Sequence, residues 1–456
     1  MAKITFYGAA RAVTGSNYLI DTGKTKVLVD CGLMQGSRHA EDQNYEPFPY
    51  DPKEITAVFV THAHIDHSGR LPKLVKDGFT GTIFTTYPTQ DLIKIMLHDS
   101  QGLIAREAED EGRTPLYLEE DVENAVARVK GMEYGEEFTI GDDIRVRFRD
   151  AGHILGSAII EMWIREGSDE KKIVFSGDLG NPPTPLLRPT EFIDEADYVV
   201  MESTYGDRLH EDRDERKNIL EDVIEDTVLK GGVLLIPSFA IERTQELLYE
   251  LNALVEHGRV PKVPIFIDSP LAIDAIDIYR KYPQYYNKEA AYLLASGDEI
   301  FRFPNLTLTR RSEESKRILQ VPAPKLILAG SGMSTGGRIL HHERAYLSDP
   351  HTTLLIIGYQ SAGTLGRRLL EGQQEVVIFG EQIVVRAKVL AIGGYSAHAD
   401  QNGLYTWLAR IQEGGHLKKA FITHGEEAPA LAFVQLLRDN MGVDAVAPML
   451  GEEFVL

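Results

Sequence analysis

Thr61-His62-Ala63-His64-Ile65-Asp66-His67 follows the apolar run Val58-Phe59-Val60 and leads into Ser68-Gly69. The run reads as a buried strand and the histidines as the loop at its end, with a helix beyond. In an extended segment alternate side chains share a face, so His62 and His64 point together and can hold one ion. Asp66 and His67, past the turn, can serve a second. Three histidines and one aspartate within six residues at such a junction mark a metal site.

Outward from this loop, three more strand ends carry donor side chains. His153 lies in Asp150-Ala151-Gly152-His153-Ile154-Leu155-Gly156-Ser157, where glycines allow close backbone approach. Asp178 ends Ile173-Val174-Phe175-Ser176-Gly177-Asp178, and His424 ends Ala420-Phe421-Ile422-Thr423-His424. Singly, each is an ordinary polar strand end; the set is what points to a metal centre.

Composition limits the alternatives. The chain has 456 residues, too many for one typical core, so two domains or a large insertion are expected. Hydrophobic residues at 43% and charged residues at 26% suit a globular enzyme. No run of about 18 apolar residues occurs and the start enters a strand pattern, so no membrane association and a cytoplasmic location are expected. The one cysteine, Cys31, excludes internal disulfides and thiolate clusters, and its setting in Val27-Leu28-Val29-Asp30-Cys31-Gly32 reads as buried. The net charge of -21 disfavours broad polyphosphate binding, although a local groove of arginines and fixed cations can still attract phosphate.

Short β runs in the first fifth (Lys3–Tyr7, Tyr18–Asp21, Lys26–Asp30, Ala57–Thr61) suggest an antiparallel sheet. Helices are expected over Pro88–Ala105 and Leu118–Val129, with hairpins at Gly141-Asp142-Asp143 and Gly167-Ser168-Asp169-Glu170. From Tyr198 onward apolar strands alternate with helices, the pattern of a parallel α/β sheet. Beyond about Val376 strands return, and the chain ends strand-loop-helix. The expected division is 1–201, an insertion over 202–380, and a returning segment 381–456.

The ordered set His62-x-His64-x-Asp66-His67, His153, Asp178 and His424 resembles the metallo-β-lactamase hydrolase superfamily. That resemblance implies an αββα sandwich and two divalent ions, the first on His62, His64 and His153 and the second on Asp66, His67 and His424. Asp178 would bridge them, and Asp30 would support the histidine loop. Glu202, ending Met201-Glu202, and His398, in Gly393-Gly394-Tyr395-Ser396-Ala397-His398, resemble the extra motifs of the β-CASP nuclease branch. That branch is similar to RNA 3′-end-processing endonucleases, such as the cleavage-and-polyadenylation subunit, and to 5′ exoribonucleases. It implies an inserted α/β domain, a single-stranded RNA substrate and zinc, with manganese as an alternative; a homodimer is left open.

In the branch, segments resembling Pro237–Leu247, Gly330–Arg338 and Gly358–Gly366 line a cleft, and Arg243, Ser331, Arg338 and Ser396 are candidate phosphate contacts. Two ions about 3.5–4 Å apart would make hydroxide available near neutrality. His398, polarised by Glu202, would protonate the leaving oxygen, and Asp66 would help orient the nucleophile. The expected products carry 5′-phosphate and 3′-hydroxyl ends. Hydrolysis of another ester or a small phosphodiester, and RNA binding with little catalysis, are the competing readings.

Overall fold

The structure, a computed structural model, describes residues 1–210, 213–361 and 363–456. Ala362, within the third glycine-rich segment named above, lies outside the described residues. By internal packing the chain divides into two compact units. One comprises Met1–Thr184, Arg188–Leu209 and His398–Leu456, and the other Pro185–Leu187 and His210–Ala397.

The first unit holds two seven-stranded sheets among the described residues. From edge to edge the first runs Glu453–Val455, Lys3–Phe6, Tyr18–Asp21, Lys26–Val29, Ala57–Phe59, Thr82–Thr86 and Val129–Met132. The second runs Ala445–Val446, Lys419–Thr423, Tyr198–Glu202, Asp169–Phe175, Ala158–Glu166, Ile144–Asp150 and Glu137–Ile140. Their facing sides form one core, with Ile4, Phe6, Val27 and Phe59 from one sheet and Phe148, Ile160, Phe175 and Phe421 from the other. Each such fully buried side chain contributes about 1.5–3 kcal/mol. Helices Gln401–Glu413 and Glu427–Met441 cover the second sheet through Leu404, Trp407, Phe433 and Leu437. The expected αββα sandwich is present.

Two local expectations change. Antiparallel pairing in the first sheet joins Glu453–Val455, Lys3–Phe6, Tyr18–Asp21 and Lys26–Val29; Lys26–Val29, Ala57–Phe59, Thr82–Thr86 and Val129–Met132 pair in parallel. The cause is the long crossovers, carrying first Arg38–Gln43, then Leu71–Lys76, then Tyr87–Glu111 and Glu119–Val126, which return the chain to the same sheet end before each next strand. Tyr198–Glu202, expected to start the α/β run, instead sits in the second sheet of this unit, parallel to Asp169–Phe175 and Lys419–Thr423. Both hairpins form where expected. Cys31 is buried, and burial pushes its thiol up to about 11.

The second unit carries a six-stranded parallel sheet in the order Leu306–Leu308, Ile265–Asp268, Lys325–Ala329, Val233–Pro237, Thr353–Ile356 and Lys388–Ala391. Its central strands are buried on both faces, which is why they read as continuous apolar runs such as Val233-Leu234-Leu235-Ile236. Ser269 caps the helix Pro270–Lys281 by accepting from the Ala272 amide. Among the described residues no helix is long and apolar enough to cross a membrane.

Candidate metal centre

Strand Ala57–Phe59 delivers Thr61 to a buried position, and the chain turns at once into the short helix Ile65–Ser68. That turn is clamped by backbone bonds: Ser16 N donates to Asp66 O at 2.8 Å, Cys31 N to His67 O at 2.8 Å and Leu33 N to Ile65 O at 2.8 Å. Gly32 is required here, since a Cβ on it would lie 1.6 Å from the Asp66 carbonyl oxygen.

The expected residues meet in two groups. His62 Nε2 lies 2.9 Å from His64 Nδ1, and His153 Nε2 lies 3.3 Å from the same atom. Asp178 Oδ2 completes the first group at 3.4 Å from His62 Nε2 and 3.6 Å from His153 Nε2. In the second group, Asp66 Oδ2 lies 3.3 Å from His424 Nε2 and 3.8 Å from His67 Nε2. Asp178 Oδ1 reaches this group too, 3.4 Å from His67 Nε2 and 3.7 Å from His424 Nδ1.

These separations test whether the donor set fits a metal. Nitrogen donors at about 2.0–2.1 Å around a tetrahedral ion stand about 3.3 Å apart, close to the spacing across both groups. His67 Nε2 and Asp178 Oδ1 are buried without a hydrogen-bond partner, an arrangement that is costly unless a cation lies between them. The all-histidine-and-carboxylate set therefore fits divalent ions.

A supporting layer fixes the rings through their remaining nitrogens. Asp30 Oδ2 lies 2.7 Å from His67 Nδ1, and Asp30 Oδ1 accepts from the Thr61 amide at 2.8 Å. Thr61 Oγ1 lies 3.1 Å from His62 Nδ1, and Thr204 Oγ1 lies 3.1 Å from His424 Nδ1. Ser157 Oγ accepts from the His153 amide at 3.0 Å. Asp30 and His424 both hold a positive φ, at 59° and 46°, so the loops tolerate strain where they place these groups. Thr61, Thr204, Ser157 and Gly32 do not stand out in the sequence as supports. Their only signal is that each lies within four residues of a site residue.

His398 stands at the edge of the cluster. Its Nδ1 lies 3.1 and 3.3 Å from the Glu202 oxygens and 3.9 Å from Asp178 Oδ2. Glu202 is itself anchored, accepting from the Leu179 amide at 2.6 Å, and Ala399 N donates to Leu179 O at 2.8 Å. Burial works against the imidazolium of His398, but Glu202, backed by Asp178 and Asp66, outweighs it and raises the pKa to about 9. Burial lowers His64 to about 4, leaving a neutral donor ring. Burial opposes ionisation of Asp178, yet His424, His67 and His62 hold it well below the carboxylate range.

The candidate phosphate contacts lie in the second unit. The buried Arg243 guanidinium is paired with Glu246. Arg338 donates to Asp268 Oδ1 and to the carbonyls of Thr309 and Arg310 at 2.7–2.8 Å. Ser331 Oγ accepts from the Thr335 amide at 3.2 Å, and Ser396 is buried. Both arginines thus already use donors on internal acceptors. His342 in the same unit is buried with Nε2 2.7 Å from Asp268 Oδ2.

The chain is similar to known proteins along most of its length. Residues 10–214 match the metallo-beta-lactamase superfamily, 244–369 the Beta-Casp domain, and 382–448 the Zn-dependent metallo-hydrolase RNA specificity domain. Ribonuclease TTHA0252 of Thermus thermophilus is 40% identical over 95% of this chain and 96% of its own length. An RNase J-like protein of Methanocaldococcus jannaschii is 34% identical over 99% of both. A solved protein of unknown function from Enterococcus faecalis V583 covers 100% of both chains at a TM-score of 0.55 and 12% identity, a likeness in fold alone. With donors and supporting layer assembled in one sandwich and an α/β domain inserted in it, the chain belongs to the metallo-beta-lactamase superfamily, in its Beta-Casp branch.

Proposed function

We propose that this chain is a zinc-dependent ribonuclease that hydrolyses single-stranded RNA. The observation that carries the reading is the pairing of a two-group donor cluster, joined by Asp178, with a separate Glu202–His398 dyad at its edge. A metal centre alone serves many esters; a dedicated acid beside it suits a phosphodiester whose leaving oxygen needs a proton. The names of the relatives, a ribonuclease and an RNase J-like protein, support RNA as the substrate.

His62, His64 and His153 would hold one zinc ion and Asp66, His67 and His424 a second, with Asp178 shared. Bound there, the ions supply hydroxide near neutral pH and neutralise charge on a phosphate oxygen. Asp66 orients the attacking oxygen from the side of His424. Glu202 fixes the His398 ring through Nδ1, so that Nε2 gives the proton to the departing 3′-oxygen. The products then carry 5′-phosphate and 3′-hydroxyl ends. Asp30 and Thr61 keep the imidazoles of His67 and His62 in register throughout.

Labelled single-stranded RNA incubated with the protein, with and without chelator, tests the reading. Chelator-sensitive cleavage with restoration by zinc is expected. Binding without cleavage would replace the enzyme with an RNA-binding protein, and neither binding nor cleavage would point to another ester.

A further inference from the structure

A cavity of about 180 Å³ opens in the first unit beside the histidine loop, and Ile65, between His64 and Asp66, forms part of its wall. Leu33 lines the same wall, and its amide donates to the Ile65 carbonyl at 2.8 Å, so the cavity and the metal loop share one backbone. Met96, Leu103 and Ile104 of the helix Tyr87–Glu111 also line it. The rim is preformed: buried Asn44 accepts from Met34 N at 2.9 Å and donates to Met34 O at 2.8 Å.

Shape and chemistry together select an occupant. An apolar cavity of about 150 Å³ takes a benzene ring, so a single flat heterocycle suits this volume. Tyr45 offers an aromatic surface, stiffened by Arg113, whose guanidinium lies 4.1 Å from the ring centre. The charge of Arg113 is already matched by Glu111 at 2.8 Å and Asp42 at 3.2 Å. The remaining ionisable side chains in the lining, apart from Tyr45, are Glu41, Asp99 and Glu107, all carboxyl groups. They repel phosphate and accept hydrogen bonds from exocyclic amines. Partial burial, with Glu41 and Glu111 nearby, raises the Glu107 carboxyl from its ordinary value, in keeping with a lining short of cations.

We propose that this cavity seats one nucleobase bearing an exocyclic amine, adenine first among them, while the adjoining phosphate lies at the metal loop. The proposal rests on the RNA-cleaving reading and adds a base preference that it does not require. Uracil, with a carbonyl in place of the amine, offers the carboxyl groups only its ring N3–H and lacks the exocyclic donor. The site thus selects a base by its edge while the acidic rim keeps the backbone outside.

The test uses a labelled uridine oligomer carrying a single adenosine moved one position at a time along the strand. Binding to the full chain is followed by fluorescence anisotropy in chelator, and cleavage by the zinc-loaded protein on the same set. One position should bind about tenfold tighter than all-uridine and shift the cleavage site with it, the size of one good base contact. Leu103→Trp, which fills the cavity from its rim, and Glu107→Ala, which removes an acceptor, should each flatten that profile while all-uridine RNA is still cut. A flat profile with the unaltered protein, or one that survives Leu103→Trp, overturns the base site and leaves the ribonuclease reading standing. Failure to cut any member of the set with zinc present overturns that reading, and the base site with it.

Discussion

Asp178 lies within 4 Å of His62, His67, His153, His398 and His424, so it tells two roles apart. Asp178→Ala should strip bound metal as well as activity, read by elemental analysis of folded protein. His398→Ala should keep full metal content and lose about 10²–10⁴-fold in turnover, the usual worth of a positioned proton donor; unchanged turnover would remove the acid assignment. A third prediction belongs to the second unit. Glu343 is fully buried, with Ser334 as its hydrogen-bond donor, and burial raises its carboxyl from 4.5 to about 7. The folded chain then holds a proton that the unfolded chain releases, so stability falls as pH rises from 4.5 to 7. Glu343→Gln should raise Tm at pH 8, where the gain is on the order of 3 kcal/mol, and leave it nearly unchanged at pH 4. At this scale the sequence is legible wherever the chemistry is unusual. Histidines clustered at a strand end have few roles besides holding a metal, whereas Thr61, Thr204 and Ser157 support their neighbours with common hydroxyls that leave no pattern. Arg243 and Arg338 show the opposite case, since a guanidinium near a glycine-rich turn reads the same whether it faces phosphate or, as here, Glu246 and Asp268.

The element that matters most is the turn from Ala57–Phe59 into Ile65–Ser68, and its geometry depends on a neighbouring strand end. Gly32→Ala would drive a methyl into the Asp66 carbonyl, so the loop must shift to make room. The expected outcome is metal affinity lowered at least about tenfold, as for loss of a supporting contact, with both sheets intact by circular dichroism. Normal zinc affinity in that variant would mean the loop has slack that its backbone bonds do not suggest. Strand positions are legible because apolar runs end at polar punctuation. Strand direction is not: a four-residue run such as Lys26–Val29 looks alike in parallel and antiparallel pairing, and the crossover helices decide. Tyr198–Glu202 resembles the α/β strands that follow it for the same reason, because its parallel neighbours, Asp169–Phe175 and Lys419–Thr423, leave no mark in the strand itself.

For the molecule as a whole, a net charge of -21 sets how RNA is held. If attraction is confined to the metal centre and a few local donors, about three phosphates are neutralised, giving a slope of log affinity against log salt near about -2 for a single strand. A slope several times steeper would reveal a longer basic track than the charge pattern suggests. The layered fold and the insertion are legible at this scale, because periodicity changes from strand-rich to alternating α/β and back. The first unit is assembled from three stretches of chain, and His398 and His424 belong to the last of them. During synthesis, the ribosome therefore releases His62 to Asp178 long before His398 and His424 exist. On the proposed reading, a nascent chain carries most of a nuclease past its own message without being able to cut it, and becomes competent only after the stretch bearing His398 and His424 has joined the first two.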